Sequence, residues 1–335
     1  MFEFYFKYTL MKRIVLIVAL IPFISFAQPG LINNSSLPLI NTVCSDTIKG
    51  NFKEIIFSYD HFNRVSSIVN RTGHLQKSGA SKTNVWVADT TAIQTFEYTD
   101  QQKAPLLRRT TTYESSGKGK GLHWDKTVLQ YFKYENGKRV KDSVLVTQKA
   151  SKERNALKES YITAYEQTDS TVTRLIDFSD RNGSDYYKDN LEYQGNVNAE
   201  TSGHHYANHE FTGSYYTFTK FDNNINPFRQ LNIASILINE KIAFSFEAAE
   251  LINFNTKYDY GGTDFNWHLI NQNNALHFTI KRGEKDSPII DISSLRYTYD
   301  QNKLPVYCTI YVKKIISNGR FANGNLKHFT FRYKK

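Results

Sequence analysis

The sequence predicts an all-β protein, a curved antiparallel meander of β-hairpins, with a closed barrel or a two-sheet sandwich as the alternative arrangement and at most one or two short helices. Three observations predict it. The composition favours a pleated surface, with 22 Tyr and 23 Phe among 335 residues. An aromatic-x-aromatic pattern recurs along the chain, and such a pair shares one face of a strand. Each pair is followed by a polar segment with turn chemistry.

The elements follow in chain order. Ile55–Tyr59 is a β-rich run, Asp60-His61-Phe62-Asn63 reads as a turn, and Arg64–Val69 resumes as a strand. Thr95–Tyr98 and Leu106–Tyr113 repeat this grammar around a polar turn. Tyr131–Tyr134 precedes Glu135-Asn136-Gly137-Lys138 and then Arg139–Val146, and Asn-Gly is a strong hairpin signal. Looser copies are Leu191–Tyr193 before Gln194-Gly195-Asn196, Phe218–Phe221 before Asp222-Asn223-Asn224, and Tyr297–Tyr299 before Asp300–Lys303 and Pro305–Val312. His328–Tyr333 alternates and reads as a terminal strand, although the alternation is too short and broken for a strong outer-membrane barrel signal. The helix-forming residues of Ala150–Tyr165 predict one short helix, and Ile242–Leu251 fits either class.

The chain organisation begins with export. Lys12 and Arg13 precede the apolar run Ile14–Phe26, and Ser25-Phe26-Ala27 supplies small residues for cleavage between Ala27 and Gln28. Residues 1–27 are therefore expected to be a signal peptide, with Met11 as its natural start. The run is short for a membrane span, which needs about 20 residues. No later segment has that length, so the mature chain is expected to lack a transmembrane helix. Residues 28–50, rich in Asn, Ser and Pro, predict a loose leader, and 51–335 a single β-rich domain. The expected location is the periplasm, the cell surface or the exterior.

The formal charge is +10. Losing Lys7, Lys12 and Arg13 against Glu3 leaves the mature chain near +8. Such a balance suits a soluble, like-charged surface or an anionic partner. Export argues against nucleic acid. Cys44 and Cys308 lie near opposite ends of the mature chain and can pair in an oxidising compartment. In the chain-entropy model, closing so long a loop stabilises by roughly 4–5 kcal/mol.

No phosphate-binding Gly loop, nucleophile elbow, His-Glu-x-x-His or paired Cys-x-x-Cys motif occurs. No cofactor is expected, and no catalytic residue is nominated. The one ligand-dense stretch is His204–Glu210, where His205 and His209 share a face at helical spacing and would offer a metal site. On a strand they would stand about 13 Å apart. Trp124, beside His123 and Asp125, and Trp267-His268, near Asp264 and Asn266, pair aromatic with polar groups as sugar-contacting sites do.

Tyr59-Asp60-His61-Phe62-Asn63-Arg64-Val65 resembles the YD-repeat pattern of RHS-type hairpin proteins, with Asn63 where Gly is usual. Tyr134–Val140 and Tyr299–Pro305 are similar, and Asp222–Phe228 looks like an element of secreted proteins of Bacteroidetes-type bacteria. The resemblance implies hairpins without implying an activity. The function expected is an exported, non-catalytic binding or structural module for a glycan or another envelope protein. The alternative is a secreted metal-assisted hydrolase using the His204–Glu210 patch.

Overall fold

The computed structural model describes residues 38–45, 51–77, 84–99, 104–115, 122–135, 138–151, 155–168, 170–177, 186–194, 196–205, 211–230, 236–239, 242–244, 273–282, 289–315 and 325–334. Its strands are β1 (Ile40–Ser45), β2 (Asn51–Tyr59), β3 (Val65–Lys77), β4 (Asn84–Glu97), β5 (Leu107–Ser115), β6 (Leu122–Glu135), β7 (Lys138–Gln148), β8 (Leu157–Gln167) and β9 (Thr171–Asp177). They continue with β10 (Tyr186–Gln194), β11 (Asn196–His205), β12 (Phe211–Ile225), β13 (Ile236–Asn239), β14 (Ile242–Phe244), β15 (Asn273–Arg282), β16 (Ile289–Tyr299), β17 (Pro305–Lys314) and β18 (Asn325–Tyr333).

Sixteen of these strands form one closed antiparallel barrel; β13 and β14 pair with each other outside it. The closed arrangement, not an open meander, is therefore the fold. Closure comes from β1, which pairs with β18 on one side and β2 on the other. A closed wall has no free edge strand to recruit another chain.

Inward and outward side chains alternate along the strands, interrupted by bulges such as those at Ile40/Thr42 and Ser58/Tyr59. Phe57 and Ile68 face each other across β2 and β3, and so do Tyr216 and Ile280 across β12 and β15. All four are buried. The barrel is packed inside near the end that carries the turns 60–64 and 300–304, where Val43, Ile55, Ile68, Phe278 and Cys308 are fully buried. Each such side chain, taken fully out of water, stabilises by about 1.5–3 kcal/mol. The intervening residues face outward: Ser58, Thr95, Glu97, Arg109, Lys133, Lys141 and Ser143 are all exposed.

The aromatic-x-aromatic pattern has a specific use here. The first ring of each pair goes into the core: Phe57, Phe96, Phe132 and Phe331. The second is a tyrosine that reaches sideways. Its hydroxyl donates to a backbone carbonyl of a neighbouring segment: Tyr59 to Ile40 at 2.6 Å, Tyr98 to Val65 at 2.8 Å, Tyr134 to Pro105 at 3.1 Å and Tyr333 to Pro305 at 2.8 Å. These four pairs thus lay a row of hydroxyl ties along one arc of the turn end, from β17 to β6.

Two expectations are corrected. Leu157–Tyr165, expected to be helical, is strand β8, because Tyr161, Thr163 and Tyr165 face inward at period two while Ser160, Ile162 and Ala164 are exposed. The presumed leader contains β1, so the barrel starts at Ile40 and not at residue 51. Ile242–Phe244 is a short strand, and residues 245–251 lie outside the described residues. So do residues 1–37, with the cleavage pair Ala27 and Gln28, and the turn Asn136-Gly137, whose flanks Glu135 and Lys138 are paired.

Candidate functional site

Polar groups inside the barrel gather on β4–β8. Gln94, Arg108, Gln130, Arg139, Asp142 and Thr163 are buried there among apolar neighbours. Asp142 is at their centre. Its Oδ1 accepts the Arg139 Nε–H at 2.9 Å, and its Oδ2 accepts Gln130 Nε2–H at 2.6 Å and the Tyr165 hydroxyl at 2.7 Å. Arg139 Nη2 also donates to Oδ2. The ion pair has no solvent exposure on either side chain.

The Arg139 guanidinium lies over the rings of Phe132 and Tyr165, 4.5 and 4.4 Å from their centroids. Gln167 Nε2 donates to the Arg139 carbonyl. The charge is therefore matched by a carboxylate, two π faces and neutral donors. The arrangement ties β6, β7 and β8 together and is suited to anchoring the wall.

A second polar knot closes the foot of β12. Asp222 Oδ1 accepts the N–H groups of Asn224 and Asn274, both at 3.0 Å, and Oδ2 accepts Asn274 Nδ2 and the Tyr299 hydroxyl. Asn196 and Asn273 bond each other twice. Asn226 Oδ1 then caps the N–H of Phe228, and a 3-10 turn at Pro227–Gln230 brings the Phe228 ring edge-on to Phe331 inside, at 5.9 Å. The Asp222–Phe228 segment is thus the device that turns the chain off the wall and into the interior.

Of the residues nominated from the sequence for binding or metal, Trp124 and His205 are among the described residues. Trp124 lies on β6 opposite Tyr113, and His205 ends β11 opposite Phe211 and Tyr186. His209, Trp267 and His268 lie outside the described residues. Among the described residues, no group of three or more His, Cys, Asp or Glu is placed to hold a metal ion.

Cys44 and Cys308, which the sequence allows to pair, are free thiols. They lie on β1 and β17, with β18 between them. They also face opposite ways: Cys308 is in the core, whereas Cys44 is across from Glu54 on the outer side. Burial and the neighbouring Glu54 carboxylate push the Cys44 thiol up to about 11, against the pull of Arg332. Burial raises Cys308 further. Both thiols stay protonated and poorly nucleophilic.

A scan against protein-family models gives no match, and a search of curated proteins gives none either. Among solved structures, the chain is similar to a porin-like protein from Bacteroides uniformis, with 9% identity, 88% of this chain and 98% of that one covered, and a TM-score of 0.47. A porin-like protein from Bacteroides vulgatus gives 12% identity, 89% and 99% coverage and a TM-score of 0.43. The YD-repeat resemblance is overturned. No YD-repeat family model matches, and the hairpins that suggested it are neighbouring staves of one closed barrel.

Proposed function

We propose that this chain is an exported, non-catalytic β-barrel of the bacterial cell envelope, acting as a binding or structural module. The observation that supports this most is closure itself: sixteen strands bury an apolar interior and leave no edge. The basic, apolar and small-residue order of residues 12–27 supports export. The enclosed Arg139–Asp142 pair, bonded by Gln130 and Tyr165, supports an anchoring role for these charges within the wall, which leaves the outer wall and the loops as the working surfaces. A glycan or another envelope component is the partner class.

A second reading, a barrel that spans the outer membrane, is favoured by the even strand number and by the pairing of the first and last strands. The polarity of the wall weighs against it. A spanning barrel carries an apolar band outside and polar residues within. Here Glu54, Arg71, Arg109, Lys133 and Lys141 are on the outer side, and phenylalanines share the inside with the polar groups of β4–β8.

Cell fractionation with N-terminal sequencing tests the proposal. The expected result is a processed chain starting at Gln28 in the envelope or medium, released from membranes without detergent. An unprocessed cytoplasmic chain defeats the export reading; a processed chain extracted only by detergent favours the spanning barrel.

A further inference from the structure

We propose that the outer face of β5–β9 is a seat for an anionic lipid surface. This inference rests on the envelope reading given above. The outer residues of these five strands form a continuous grid. Leu107 is opposite Tyr131, Leu129 opposite Leu145, and Tyr131 and Ile162 flank Ser143 from either side. Ala164 and Leu175 are paired at the next position. Tyr131 is 50% exposed and Ile162 45%; a smaller exposed pair, Tyr311 and Leu326, stands on β17 and β18. Contiguous exposed apolar surface of this kind marks an interaction site.

The charges beside the patch identify its occupant. Arg109 is opposite Leu129, one step from Tyr131, and Lys141 is opposite Lys133 and Ala164. All three cations are exposed. Lys133 holds Glu135 at 2.8 Å, while Arg109 and Lys141 have no carboxylate partner among the described residues. Glu97, opposite Leu107, and Glu166 stand at the turn-side rim, and Asp177 is opposite Ile162 on β9. An aromatic and aliphatic centre with two uncommitted cations matches a surface of acyl chains under anionic headgroups. The shape fits as well. A convex barrel touches a plane along a few strands only, and five strands span about 19 Å at the usual spacing.

The test uses the processed chain with phosphatidylcholine vesicles, prepared with and without phosphatidylglycerol, in a flotation assay. The expected result is binding to the phosphatidylglycerol vesicles alone, lost at high salt because exposed charges are screened beyond about 10 Å at 0.1 M. Arg109→Gln and Lys141→Gln are each expected to weaken binding about fivefold. Tyr131→Ser combined with Ile162→Ser is expected to remove it, with an unchanged far-ultraviolet spectrum. If that double variant does not fold, the two charge variants still decide the matter. The proposal is overturned by equal binding to both vesicle types, by no binding to either, by salt-resistant insertion, or by patch variants that change only the oligomeric state. Failure here leaves the fractionation result untouched, so the two readings fall separately.

Discussion

Asp142 shows what one residue contributes when its environment is fully specified. The carboxylate and Arg139 are enclosed together, with Gln130 and Tyr165 completing the acceptor sites. Removing one partner strands the other charge in a dry interior. Asp142→Ala is therefore expected to cost about 3–5 kcal/mol by denaturant titration, while replacing both partners by Leu and Met recovers much of that loss. Positive φ gives a second residue-level test. Asn63 and Lys303 both adopt φ 61° at equivalent places in their turns. Asn adopts this conformation at little cost and Lys at a greater one. Lys303→Gly is expected to raise stability by about 1 kcal/mol and Asn63→Gly to change little, both read from thermal midpoints. The cysteines yield a third. With Cys308 buried and facing away from Cys44, a maleimide is expected to leave Cys308 unlabelled until the chain is unfolded, and non-reducing gels are expected to show no intramolecular bridge.

At the scale of the element, the hairpins were legible and the exceptions are instructive. The Asp60 turn works as its residues suggested: Oδ1 accepts the N–H groups of Phe62 and Arg64 at 2.9 Å, and Oδ2 holds Arg64 Nε at 2.6 Å. The Asp300 turn repeats the two backbone bonds, to Asn302 and Leu304. Strand β8 was misread because Ala, Lys and Glu carry helix propensity, while the alternation of Tyr161, Thr163 and Tyr165 is what burial selects. Strand β1 was missed because six residues within an Asn- and Pro-rich stretch give too short a period to see. The metal and sugar candidates came from local composition, which has no means of placing residues in space. The Asp142 network was missed because Gln130, Arg139 and Tyr165 meet only through pairing of three strands; Tyr131–Val146 did signal that pairing. The Asp60 turn also carries a pH dependence. Partial burial pushes its carboxyl up, but the N–H groups of Arg64 and Phe62 and the Arg64 guanidinium outweigh that and hold it below the usual carboxylate range. A lowered folded value means stability that is present above the unfolded value, near 3.9, and lost as pH falls through the folded one. Asp60→Asn is expected to flatten the acid side of the stability curve, checked by denaturant titrations below pH 5.

At the scale of the whole molecule, the decisive fact is a pairing between the two ends of the described chain. Alternation within each strand specifies which residues face inward, and it did so for Phe57, Phe96 and Phe132. It does not specify whether the last strand returns to the first. That depends on the register of Val43 against Phe331, a contact separated by most of the chain. Such non-local pairing is slow to form and is reached only after the intervening wall is built. It follows that β1, although only six residues long, controls whether the molecule is a barrel or an open sheet. If β1 is displaced, β2 and β18 both become free edges, each with unpaired backbone groups and an apolar inner face beside it. Val43→Pro removes a backbone donor and buried packing at the centre of this seam, and proline is not tolerated between two paired neighbours. The expected outcome is loss of the monomer peak on gel filtration, with higher oligomers and increased binding of a hydrophobic dye. Gln301→Pro, at the exposed second position of the Asp300–Lys303 turn where proline is favoured, serves as the control and is expected to leave both readings unchanged.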